Sequence, residues 1–138
     1  MVLTGDEMDS NDLATVESLR ILEPDERIQY FCWWTFSNGF SMLTDRSLIA
    51  HWSIEESTFR APLQYIVSIS VDYSDSSFED SQVRVAVINR EAMEQLQPPR
   101  ELDLFLPTEN EGDRKFIRAL EEATGVKSAV FERADSVD

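Results

Sequence analysis

The stretch GFSMLTDRSLIAHW, Gly39 to Trp52, decides the fold. It reads as two strands joined by the polar turn Thr44–Asp45–Arg46–Ser47, with Phe40 to Leu43 as one arm and Leu48 to Ser53 as the other. Asp45 and Ser47 suit a turn because short polar side chains bond their own backbone. Arg46 is expected to project to solvent. Phe40, Leu43, Leu48 and Trp52 are expected to tie the hairpin to a core.

Upstream lies IQYFCWWTF, 28–36, an aromatic-rich run that reads as a strand and connects to the hairpin through the turn dipeptide Asn38-Gly39. Downstream, 59–63 makes a short strand that Pro62 places at an edge or an end. In LQYIVSISVDY, residues Leu63, Tyr65, Val67, Ile69, Val71 and Tyr73 alternate with polar residues, and only Ile66 breaks the pattern. QVRVAVIN points Val83, Val85 and Val87 to one face; after a loop containing Pro98-Pro99, ELDLFLP does the same with Leu102, Leu104 and Leu106.

Helical periodicity brackets this β region. At the N-terminal end, NDLATVESLRIL carries Leu13, Val16, Leu19 and Leu22 at helical spacing behind Asn11 or Asp12 as a cap, and Pro24 stops the helix near Leu22. At the C-terminal end, Phe116, Ala119, Leu120 and Ala123 form an apolar stripe. Thr108 and Glu111 make a capping box, and Gly125 ends the helix. One domain of 138 residues follows: a flexible segment 1–11, a helix over 12–23, a β-barrel over 26–107, a helix over 109–124 and a tail over 126–138. The class is mainly β (α+β), a curled antiparallel sheet whose open end is plugged by the C-terminal helix. Trp34, Ile69 and Phe116 are expected in the core.

Composition restricts partners. The net charge is −15, with only 12 Lys and Arg against 27 Asp and Glu. The basic residues are scattered, which opposes binding to nucleic acid and to anionic lipid surfaces. The acidity reads first as a solubilising surface and second as adaptation to a salty cytoplasm. No apolar run approaches the length of a membrane span. The N-terminus does not read as a secretory signal, and the single Cys32 sits in an apolar run, so a cytosolic location is expected.

The chemistry-bearing residues do not assemble into a reaction. His51 is the sole histidine and faces opposite to Leu48, Ala50 and Trp52, hence outward; a lone histidine does not make a metal site. Cys32 is expected to face inward, which separates it from His51 and disfavours a nucleophile–base pair. The loop DYSDSSFED holds Asp72, Asp75, Glu79 and Asp80 but lacks the mid-loop glycine and spacing of a calcium loop. No catalytic residue, metal or cofactor is expected. One feature calls for explanation. The first long strand is apolar on both faces: Phe31 and Trp33 face outward, with Ile49 and His51 on the same outer side. Such a face is covered, for instance by Val16 and Leu19 of the N-terminal helix, or is a surface for self-association or a partner, unless the strand register differs from the one alternation assigns.

Four segments, taken in order, resemble the bacterial pleckstrin-homology-like domains and the related GRAM-type domains. A lead-in of the pattern L-x-P-x-E-x-I is matched by Leu22, Pro24, Glu26 and Ile28. The hairpin is matched by Gly39, Leu43, Thr44, Asp45, Arg46, Leu48 and Ile49, and the following strand by Pro62, Leu63, Ile66, Ser68 and Ile69. The C-terminal helix FIRALEEATG completes a likeness over roughly residues 20–125. The resemblance implies a partly open, seven-stranded antiparallel barrel capped by a helix, and an adaptor role binding phosphoinositides, peptides or proteins. Lipid-binding members place Lys and Arg in the loop between the first two strands. Here Ser37–Asn38–Gly39 has none, so phosphoinositide binding is not expected. The expectation is a non-enzymatic module that binds a protein partner or itself through Phe31, Trp33, Ile49 and His51. The alternatives are a lipid- or membrane-peripheral module and a small metal-dependent hydrolase.

Overall fold

The computed structural model describes residues 1–76 and 78–131. Ser77 of the acidic loop, and the part of the expected tail from 132 on, lie outside the described residues. Nine strands and three α-helices are present among the described residues. A five-stranded sheet orders β1 (Leu3–Thr4), β2 (Ile28–Trp33), β3 (Gly39–Thr44), β4 (Ser47–Trp52) and β5 (Ser57–Pro62) as an antiparallel meander. A four-stranded sheet has the order β8 (Arg100–Leu106), β7 (Ser81–Val87), β6 (Ile66–Asp72), β9 (Ser128–Val130), and only β9 runs parallel to its neighbour. The seven expected strands are β2 to β8. The two short additions come from the ends of the chain, where no strand is expected: Leu3 pairs with Phe31, and Ser128 with Ile69. Glu121 holds β9 in place by accepting hydrogen bonds from the Ser128 N–H (2.8 Å) and hydroxyl (2.9 Å).

The main core lies between the sheets and beneath α3 (Gly112–Thr124). Trp34, Ile69, Phe116, Leu43, Leu48, Val83, Val85 and Leu104 are all buried there. A second apolar cluster lies on the other face of the five-stranded sheet. It is built from Phe31, Phe40, Met42 and Ile49 beneath Met8 and Val16 of the N-terminal segment. Strands β3 and β4 are thus covered on both faces, and nearly every residue in them is buried.

Several local expectations are corrected. Helix α1 spans Ser10–Leu19, not 12–23. Asp9 caps it by accepting from Asp12 N–H at 2.8 Å, and Arg20 ends it in the left-handed region (φ 52°), well before Pro24. Leu63–Tyr65 forms a 3-10 turn ahead of β6, and a register shift near Ile66 turns Ile66 inward and leaves Val67 exposed. That shift is the physical content of the break in alternation. A short helix α2 (Arg90–Glu94), capped by Asn89, occupies the loop before Pro98. The Thr108–Glu111 capping box does not form. Instead Glu109–Glu111 is a 3-10 turn in which Asn110 and Glu111 have positive φ (55° and 57°), and α3 starts at Gly112. Buried Asp113, beside that start, accepts a hydrogen bond from Ser81 Oγ at 2.7 Å. Gly125 does end α3 as expected, with φ 73°.

Gly39 is required by proximity and not by a left-handed backbone. A Cβ there would meet the His51 carbonyl oxygen at 2.1 Å and the Trp34 ring at 2.5 Å. Neither neighbour is free to yield, since one is β4 backbone and the other a core indole. Gly39→Ala is expected to lower the unfolding free energy by about 2 kcal/mol, within the range of overpacked cores. Chemical denaturation measures it, and an unchanged midpoint would disprove the crowding.

The polar turn of the opening stretch is tied to the lead-in by bonds that differ from the expected ones. Thr44, not Asp45 or Ser47, closes the turn: its Oγ1 accepts from the N–H groups of Arg46 (3.1 Å) and Ser47 (2.9 Å). Asp45 Oδ1 reaches back to accept from Arg27 N–H at 3.0 Å. Arg46 does not simply project to solvent; its guanidinium donates to Glu23 and to the Pro24 carbonyl, both at 3.2 Å. Behind this turn lies Glu26, whose side chain is fully buried. It accepts hydrogen bonds from Thr44 Oγ1, from the Arg60 guanidinium and from Glu23 N–H. Burial pushes its carboxyl pKa up, but these three donors together outweigh burial and hold it below the ordinary carboxylate range.

Candidate interaction surface

The outward face of the five-stranded sheet carries two side-chain rows. Strand register sets Trp33, Phe40, His51 and Thr58 side by side, and Phe31, Met42, Ile49 and Arg60 in the next row. Phe31 packs edge-on to Trp33 at 5.4 Å and lies 5.1 Å from Phe40, while Trp33 meets Phe40 at 5.5 Å. His51 stacks on Phe40 at 5.1 Å, and its Nδ1 is 2.8 Å from Thr58 Oγ1. Burial lowers the His51 pKa, so the imidazole is neutral at pH 7.

The four residues singled out from the sequence are therefore neighbours, but they are not equally accessible. Phe31 and Ile49 have no exposed surface, because Met8 and Val16 close over them, and His51 is buried beside Phe40 and Thr58. The alternation correctly placed them on the outer face, while α1 determined what that face meets. Trp33 stands at the rim, 39% exposed. Its indole N–H donates to Asp12 Oδ1 of α1 at 2.8 Å, so one edge of the ring belongs to the α1 contact and the other to solvent.

Past Trp33 the chain enters the loops at one end of the barrel. Ser53 N–H donates to the Asn38 carbonyl at 2.9 Å, joining the β4–β5 turn to the β2–β3 loop. Thr35 N–H donates to Asp80 Oδ2 at 2.8 Å, joining the β6–β7 loop to the same place. Asp80, counted in sequence among four loop carboxylates, is buried in this structural role. The tips of the three loops carry exposed apolar side chains, Phe36, Ile54 and Phe78. Glu55, Glu56 and Asp75 are exposed on the same loops. A strand running through residue 36, as the aromatic run suggests, would put Phe36 on the inward face with Cys32. The strand ends at Trp33, so alternation no longer governs Phe36.

Cys32 faces the main core with no exposure, and burial pushes its thiol pKa up to about 12. It lies on the opposite face of the sheet from His51, as expected. No group of three His, Cys, Asp or Glu side chains is placed to hold a metal among the described residues. No helix among them is long and apolar enough to cross a membrane.

No family model and no curated protein matches the sequence. Solved structures do match. A DUF1696 family protein with a pleckstrin-homology domain from Shewanella loihica PV-4 aligns at a TM-score of 0.52 and 13% identity, over 85% of this chain and 94% of that one. A pleckstrin homology domain from Shewanella amazonensis SB2B aligns at a TM-score of 0.53 and 16% identity, over 86% of this chain and 90% of that one. The fold is that of a bacterial pleckstrin-homology-like domain: mostly β, two sheets not closed into a full barrel, a C-terminal helix and a short N-terminal helix.

Proposed function

We propose that this pleckstrin-like module is a non-enzymatic adaptor that binds a basic protein partner at the loop end of the barrel. The observation that carries the reading is the apolar rim of Trp33, Phe36, Ile54 and Phe78, exposed on loops that hydrogen bonds hold together. Exposed apolar side chains grouped this way are typical of protein contact sites. Phe31, Ile49 and His51 then act beneath the surface, as the packed layer that fixes the Trp33 ring. The acidic loop residues and the net charge of −15 favour a partner carrying Lys and Arg around an apolar anchor. The same charge opposes self-association, since each copy repels the other, and opposes anionic membranes.

The test is affinity capture from native lysate, followed by titration of the purified partner against variants. Trp33→Ala is expected to cost about 2 kcal/mol, roughly thirtyfold in affinity, while the domain stays folded. Phe36→Ser should add to the loss. A partner whose affinity is indifferent to both substitutions would overturn the site. Sedimentation with anionic vesicles at physiological salt would overturn the choice of a protein partner.

A further inference from the structure

The two sheets leave a seam between β5 and β8, which end their respective sheets and, among the described residues, carry the two longest unpaired strand edges. The half of the seam nearest the loop end is closed. Trp34 and Trp52 pack against Phe105 at 5.3 and 5.7 Å, and Ser41 Oγ donates to the Phe105 carbonyl at 2.8 Å. The other half is open. Register places Phe59 opposite core-facing Ala50, so its ring points toward the interior, yet it is 42% exposed. It looks into a groove of about 410 Å³ walled on the far side by Arg100, Glu101 and Leu102. A second groove of about 460 Å³ continues from it beneath α2 and shares Arg60 and Arg100.

We propose that this open half-seam binds an extended peptide segment of another protein, which adds a strand to the exposed edge, seats an apolar side chain against Phe59 and Leu102, and sets a carboxylate on Arg100. The volume lies within the range of ligand grooves. A long unpaired edge is a ready template for strand addition, in which the backbone supplies affinity and side-chain pockets supply selectivity. The charges of the groove select the carboxylate. Arg60 is engaged by Glu26, Glu23 and the Ile21 carbonyl, whereas Arg100 has no ion pair among the described residues. Glu101 is drawn to Arg84 at 3.6 Å on the outer side of the sheet, and Glu91 of α2 accepts from Gln95 in the second groove. Arg100 is thus the cation left to meet an incoming acid. The site is separate from the loop end, so it stands or falls independently of the proposed adaptor surface.

The probe is a fluorescein-labelled octapeptide of alternating Thr and Val with Phe and Asp at its centre, made in both central orders and titrated by anisotropy against the full chain. Two control peptides carry Lys in place of Asp, or a central Pro that prevents strand pairing. Saturable binding of an Asp peptide is expected, with both controls about tenfold weaker. In the Arg100→Glu variant the Lys peptide should become the preferred ligand. Phe59→Ser should weaken both peptides, and circular dichroism reports whether each variant keeps its fold. Absence of saturable binding, or binding that Arg100→Glu leaves unchanged, overturns the proposal, the latter because the peptide would then sit on another edge.

Discussion

Phe116→Ala is expected to destabilise the domain by about 4 kcal/mol, the cost of emptying a fully buried aromatic site. Phe116 has no exposed surface, and its ring lies 6.3 Å from that of Tyr30 on β2. It is the largest of the α3 side chains that close the main core; Ile117, Ala119 and Leu120 surround it. The helix is amphipathic and short, and its place on the barrel depends on this face. Loss of the ring removes its contact with Tyr30 of β2. Urea unfolding should show a lower midpoint with an unchanged slope. A loss below about 1 kcal/mol would mean that α3 is not what closes the core.

The second large effect is at Glu26. Glu26→Ala is expected to cost about 3 kcal/mol at neutral pH, because it strands the Arg60 guanidinium and the Thr44 hydroxyl that the carboxylate accepts from. The cost is not larger because Arg60 still has Glu23 at 3.8 Å and some contact with water. The effect depends on pH in a definite direction. The folded pKa of Glu26 lies below that of the unfolded chain. Its contribution is therefore fully present above the ordinary carboxylate range and is lost as pH falls through the folded value, from about pH 4 downward. The stability gap between wild type and Glu26→Ala should be widest at neutral pH and narrow on acidification. Comparing the two proteins isolates this group from the other carboxylates. A gap that stays constant from pH 7 to pH 3 would show that folding leaves the Glu26 carboxyl unshifted, and a gap that widens on acidification would show that Glu26 enters the folded state protonated.

These two sites differ in how they were legible. Phe116 announces itself through helical spacing, because an apolar stripe at that period marks the helix face that packs on a core. Glu26 appears in sequence only as part of a motif resemblance. Its role depends on Thr44 and Arg60, which lie 18 and 34 residues away in the chain. No local pattern links them. The same holds for the seam: Phe59 looks like an ordinary strand residue until the divergence of the two sheets leaves it uncovered.

The candidate surface divides along the same line. The aromatic run FCWWTF is apolar in both phases, and that alone establishes a sheet with something on each side. Which side is buried, and by what, rests on whether a segment of weak periodicity, residues 8–19, packs over it. Val16 is the only residue within α1 that is fully buried, so the helix carries little signal of its own. Its position is set by the Asp9–Asp12 cap, the Asp12–Trp33 bond and the pairing of Leu3 with Phe31.

What the sequence by itself determined is the order of seven strands and a closing helix, the inward residues of most strands, and a net charge of −15. These depend on periodicity and composition, which are local and additive. What only the tertiary structure decided is the cover over Phe31 and Ile49, the exposure of Trp33 and Phe36, the buried Glu26 lock and the half-open seam. Each of these depends on surfaces brought together from distant parts of the chain, where packing outweighs local preference. In GFSMLTDRSLIAHW itself, alternation identified the hairpin. The cage of Thr44, Glu26 and Arg60 behind its turn became visible only in three dimensions.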